Sequence, residues 1–238
     1  MHEHFTIAIG SDLWWRGLIV ASVFWMSIMI LGLFLRKQNS EFKLTRILFW
    51  ALLFREIFYH IWLLQSGHFT LQDSLPIHLC GISYFFLLLV FYNRSQIAFE
   101  FLLLLSVAGA IQSLITPELT HGYSSILYID YYFVHAALLY LPMYCFFVMG
   151  MRLRPKSWLT SFMNGIIILV IVGGINYILK SNYIYLCEPP KAKNPFIIGG
   201  FPYHILGFLS IGFLHILFIY FIFYHIIPKY GIPKKIQL

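Results

Sequence analysis

The stretch LTRILFWALLFREIFYHIWLL, residues 44–64, is a continuous apolar run that carries Arg55, Glu56 and His60 in its second half. At a rise of 1.5 Å per residue it makes a helix about 32 Å long, enough to cross the hydrocarbon core of a bilayer. A charged group inside that core costs several kcal/mol unless it is paired, so three such groups in one span mark a polar interior. The run therefore predicts both a membrane helix and something built against one face of it.

Similar runs extend on either side, at about 13–35, 76–92, 96–116, 128–150, 158–179 and 203–227, and Gly or Pro residues punctuate most of their ends. Together they predict an all-α polytopic membrane protein: one domain over 1–238, a bundle of seven transmembrane helices. The composition agrees, with 60% of the 238 residues hydrophobic and 11% charged. A net charge of +7 raises the possibility of a nucleic-acid partner. The basic residues, however, lie between apolar runs, as orienting charges do, and a nucleic-acid partner is excluded.

Arg36, Lys37, Lys43 and Arg46 flank the first connection, Arg94 lies in the third, Arg152, Arg154 and Lys156 in the fifth, and Lys229, Lys234 and Lys235 in the tail. Segments 65–75 and 117–127 carry no Lys or Arg, and 180–202 carries only Lys180, Lys191 and Lys193. By the positive-inside rule the N-terminus is expected outside and the C-terminus in the cytoplasm. The first twelve residues lack the basic n-region of a signal peptide, so the first run is expected to remain as a span. An odd helix count and the lack of a visible repeat disfavour a transporter built from inverted halves. The 180–202 segment reads equally as a cover over the outer mouth or as an ordinary loop.

With this topology Glu56, His60, His78, Cys80, Gln112 and His135 all fall in the outer half of the membrane, joined by Asn176, Tyr203 and His204. Glu56 and His60 are four apart and share a helical face, which suits a carboxylate that orients an imidazole; the plainer reading is an interhelical hydrogen bond. Arg55 is expected to be structural, with Glu56 as its nearest partner. His78 and Cys80 are about 200° apart on a regular helix and share a pocket only if Pro76 leaves the first turn irregular. Cys80 is either a small core residue or, beside imidazoles, a nucleophile. Tyr131 shares a face with His135, and Asp130 lies off it. Cys145 and Cys187 fall at other depths, and no disulfide framework or CxxC motif is present. His2, His4, His68 and His121 are expected to be solvated groups at the outer side.

Three strings carry a resemblance: Leu75-Pro76-Ile77-His78-Leu79-Cys80; Ala108-Gly109-Ala110-Ile111-Gln112-Ser113-Leu114-Ile115-Thr116-Pro117; and Tyr131-Tyr132-Phe133-Val134-His135 followed by Leu139-Tyr140-Leu141-Pro142. In order and spacing they resemble the YwaF-like bacterial integral membrane proteins and their eukaryotic relatives, the transmembrane protein 164 family. The resemblance implies a seven-helix membrane fold. Its animal members are similar to acyltransferases that load fatty acyl groups onto ether phospholipids through a cysteine and a histidine. The histidine maps onto His135. The animal cysteine stands between the Pro and the His, where this chain has Ile77, and Cys80 lies one helical turn further on.

These readings lead to an expected integral plasma-membrane lipid acyltransferase or transacylase of bacterial type, with a phospholipid as substrate and its site on the extracytoplasmic side. Cys80 would attack an ester, His135 move the proton, and His78 with Gln112 hold the oxyanion or the nucleophile. Glu56 and His60 would support them, and Tyr131, Asn176, Tyr203 and His204 would line the substrate. No cofactor is expected in this scheme. One alternative is a zinc-dependent lipid hydrolase with His60, His78, His135 and Glu56 as the metal set; another is a transporter or receptor that uses the same cavity.

Overall fold

The computed structural model describes residues 4–192 and 199–230, and Lys193, Lys234 and Lys235 lie outside the described residues. The chain is mostly helical. Helix α1 spans Asp12–Lys37, α2 Glu41–Gln65, α4 Gln96–Ile115, α5 Ser125–Phe147, α6 Ser157–Leu179 and α7 Tyr203–Ile226; these six are long and apolar enough to cross a membrane. Helix α3, Leu79–Asn93, has 15 residues and is shorter than the expected 76–92. The chain over Pro76–His78 is not helical, and the helix begins only after His78. His78 then caps the helix in an extended conformation at φ −60° and ψ 154°.

Local chemistry fixes the other ends. Ser11 and Ser124 accept the backbone N–H of Trp14 and Leu127, and the serine cap starts α5 three residues before the expected 128. Pro142 sits inside α5 without ending it. Helix α4 contains a π-turn over Leu102–Ser106. Two short strands, β1 (Phe5–Thr6) and β2 (Glu118–Leu119), pair antiparallel and tie the N-terminal segment to the α4–α5 connection.

Helix α4 is the centre of the bundle, with Phe99, Phe101, Leu102, Leu103 and Leu104 fully buried among α3, α5, α6 and α7. Helix α1 packs along α5, where Gly17 and Gly32 meet the rings of Tyr132 and Tyr144 directly. Small residues permit such close approach between helices in a membrane. The outward faces remain apolar, with Val20, Phe54, Val170 and Leu214 among many exposed large side chains. Such a surface is matched by lipid rather than by water.

One end of the bundle is basic. Arg94 donates to Met149 O at 2.6 Å, Arg152 to Phe146 O and Met151 O at 2.8 Å, and Arg36 to Phe147 O, so guanidinium groups satisfy the carbonyls at and just beyond the end of α5. Glu100 is buried rather than reaching the interface, held by the Arg154 side chain at 2.7 and 2.9 Å and by its backbone N–H at 2.9 Å. The cavities described next lie toward the opposite end.

Candidate functional site

A polar cavity of about 200 Å³ lies among α2, α3, α4 and α5, roofed by the 66–78 and 116–124 segments and by Tyr185. Glu56, His60, His78, Cys80, Tyr131 and His135 all line it, so six of the expected residues converge. The irregular start of α3 turns His78 and Cys80 to the same space, which a regular helix would not do.

Each histidine is oriented by the backbone. His135 Nδ1 lies 2.7 Å from Tyr131 O. A carbonyl only accepts, so the neutral ring carries its proton on Nδ1 and keeps Nε2 as an acceptor. His78 is the reverse: its Nδ1 accepts the Ile184 N–H at 3.2 Å, which leaves Nε2–H as a donor. His60 Nδ1 lies 3.0 Å from Glu56 O and 3.4 Å from Glu56 Oε1, as the i, i+4 spacing predicts. Cys80 Sγ lies 3.9 Å from Ser113 Oγ. Tyr131 stacks over His135 with ring centroids 4.1 Å apart, and its hydroxyl donates to Ser113 O at 2.9 Å.

Arg55 is structural, but its principal partner is Asp130 rather than Glu56. Its Nε donates to Asp130 Oδ1 at 2.7 Å and its Nη2 bonds the other oxygen; Nη1 reaches Glu56 Oε2 at 2.6 Å. The guanidinium also lies over Tyr59, 4.5 Å from the ring centroid. Both carboxylates line the cavity, which makes Asp130 a site residue that helix-face reasoning set aside.

A second, apolar cleft of about 410 Å³ runs between α4, α6 and α7. His78, Cys80, Ser113, Glu118, Tyr131 and Tyr185 line both spaces and form their common wall. Gln112 faces only the apolar cleft, where its amide donates to Thr116 Oγ1 at 2.7 Å. Burial pushes the Tyr185 phenol well above its ordinary range, so it stays a neutral O–H group in that wall.

The remaining expected residues line neither space. The amide of Asn176 donates to Tyr183 O at 2.9 Å and accepts from Ser181 Oγ and Tyr183 N–H. His204 is buried with Nε2 2.9 Å from Tyr185 O, and Tyr203 is exposed. Asn176 and His204 hold the 181–185 segment in place instead of lining a substrate space, because polar atoms buried at a loop junction are taken up by its backbone. His121 is likewise not a solvated outer group: it is buried, lines the polar cavity and lies 2.9 Å from Ser74 Oγ. His4 pairs with Glu118 at 2.6 Å across the β1–β2 ribbon. Of the other thiols, Cys145 is buried and Cys187 exposed, each away from Cys80.

Among the described residues no three His, Cys, Asp or Glu side chains converge as a metal-holding group.

No curated protein and no solved structure matches the chain. The model of the TMEM164 family matches residues 8–225, nearly the whole length, and spans every helix that builds the two spaces. The chain therefore belongs to the TMEM164 family.

Proposed function

We propose that this membrane protein is a lipid acyltransferase that works by transacylation, with Cys80 as nucleophile and His135 as general base and acid. One observation carries the reading: Cys80 sits in the wall common to a polar cavity and an apolar cleft. An ester between a fatty chain and a glycerol headgroup has the same division of polarity.

In the first step His135 Nε2 takes the Cys80 proton, and the sulfur attacks the ester carbonyl carbon of a phospholipid. The tetrahedral intermediate collapses with cleavage of the carbon–oxygen bond, and the departing lysolipid alkoxide takes the proton back from His135. The acyl group is then a thioester on Cys80. In the second step His135 deprotonates the hydroxyl of an acceptor lipid, the oxygen attacks the thioester, and the carbon–sulfur bond breaks. The thiolate recovers the proton from His135. The Nε2–H of His78 and the phenol of Tyr185 are the donors available to the oxyanion in both steps.

The same reading gives the chain seven crossings. Helix α3, about 22 Å long, carries the chain from the cavity end to the basic end, with Leu75–His78 extending it toward the interface. The arginine-rich end is taken as cytoplasmic, which puts the N-terminus outside, the C-terminus inside, and the site on the extracytoplasmic side of a bacterial plasma membrane. Cytoplasmic acyl-CoA does not reach such a site, and the acyl donor is a membrane phospholipid.

The test uses purified protein in proteoliposomes with an isotopically labelled phospholipid and a lysophospholipid acceptor. Wild type is expected to form a hydroxylamine-sensitive acyl adduct and labelled product. Cys80→Ala should lose both, and His135→Gln should lose turnover. Full adduct formation by Cys80→Ala would overturn the nucleophile assignment. Uptake of a solute without lipid turnover would replace the reading with transport.

A further inference from the structure

The apolar cleft has a floor. From the common wall it follows α4 inward from Ser113 to Leu105, about 12 Å at the helical rise, and Phe162 of α6 with Phe213 and His215 of α7 complete its inner lining. Leu105 belongs to the π-turn of α4. Its π-turn neighbours Leu102, Leu103 and Leu104 are fully buried, whereas Leu105 is only partly buried and faces the cleft. Its two methyl groups point to glycines on the facing helices. A Cβ at Gly165 of α6 would lie 3.0 Å from Leu105 Cδ2, and a Cβ at Gly212 of α7 would lie 4.0 Å from Cδ1. One leucine therefore plugs a gap that the glycines leave open.

The geometry points to Leu105, seated between Gly165 and Gly212, as the residue that sets the length of acyl chain the cleft accepts. This rests on the transacylase reading for the identity of the occupant, the fatty chain of a membrane lipid. Continuity argues for that occupant: the cleft starts at the thiol and the wall of the polar cavity, and it lies within helices that cross the lipid core. A chain esterified near Cys80 and fed down the cleft ends against Leu105.

The experiment equilibrates the full-length protein in detergent with an equimolar series of phosphatidylcholines of graded saturated chain length. Retained lipids are read by mass spectrometry, and the chain profile of the transacylation product is read in parallel. Leu105→Ala should move the preferred length up by about three carbons, the number the substitution removes from the floor. Gly212→Leu should move it down by about four, the number it adds. Gly174→Leu, whose Cβ meets nothing within 4 Å, is the control and should leave the profile unchanged. Should Gly212→Leu fail to fold, Gly212→Ala, which brings a Cβ to ordinary contact with Leu105, takes its place with a smaller downward shift. Unchanged profiles in both cleft variants would overturn the inference, even with transacylation intact. Shifted retention in a protein that transfers no acyl group would sustain it while the transacylase reading fails.

Discussion

The clasp between α2 and α5 permits a quantitative test. Arg55, with 17% of its side chain exposed, forms a two-point pair with Asp130, at 19%, and a further bond to Glu56. Removing one partner of a buried ion pair costs about 3–5 kcal/mol, because the remaining charge keeps its desolvation penalty and loses its compensation. Asp130→Leu leaves Arg55 with Glu56 alone and should fall at the low end, about 3 kcal/mol. Arg55→Met leaves two carboxylates facing one cavity, loses the stacking on Tyr59, and should cost about 5 kcal/mol. In the double variant only the Glu56 carboxylate is left without its guanidinium, so the total should fall short of the sum by about 2 kcal/mol or more. The measurement is a double-mutant cycle of reversible unfolding in mixed micelles, followed by tryptophan fluorescence. A coupling energy within about 0.5 kcal/mol of zero would show that the two side chains act independently and would refute the clasp.

Gly17→Val should separate α1 from α5, since even a Cβ there would lie 2.4 Å from the Tyr132 ring; a loss of about 1–3 kcal/mol is expected in the same unfolding assay. Tyr183→Phe removes the hydroxyl that accepts the Leu75 N–H and donates to Leu71 O, each at 2.9 Å. It should cost about 1–3 kcal/mol and raise hydrogen exchange over 71–75, and unchanged exchange there would contradict the role. Glu100→Ala strips the Arg154 side chain and backbone of their acceptor and should destabilise the protein by about 2–3 kcal/mol, with the loss traced to the α5–α6 connection by proteolysis. Chelation by a strong zinc ligand should leave lipid turnover unchanged, and restoration of a lost activity by zinc would revive the hydrolase alternative.

The helices were legible because their cause is local. A run such as 44–64 declares a membrane span by hydropathy, and the shared level of Glu56, His60, His78, Cys80 and His135 follows from counting residues along each run. The start of α3 was not legible, since the consequence of Pro76 depends on how the following residues pack. Asp130 was missed because its partner, Arg55, is 75 residues away and on another helix; the available signal was an uncompensated arginine in one span and an aspartate within a neighbouring one. His121 lies in a connection that read as solvated, and Tyr185 in a segment that read equally as a cover or an ordinary loop; with Glu118 they line the cavity because the 116–124 and 181–185 segments fold over it. Gln112 was placed at the right level but on the wrong side of the wall, because spacing fixes depth better than rotation about the bundle axis.

The arginines at the basic end have a practical bearing on how insertion is studied. Arg94 and Arg152, with Arg36, finish the hydrogen bonding of the carbonyls at the end of α5. The basic residues that the positive-inside rule counts thus include groups that complete a helix terminus in the folded protein. Charge swaps at these positions would perturb folding and orientation together, whereas Lys37 and Lys43, both exposed, offer cleaner sites for reporting orientation alone.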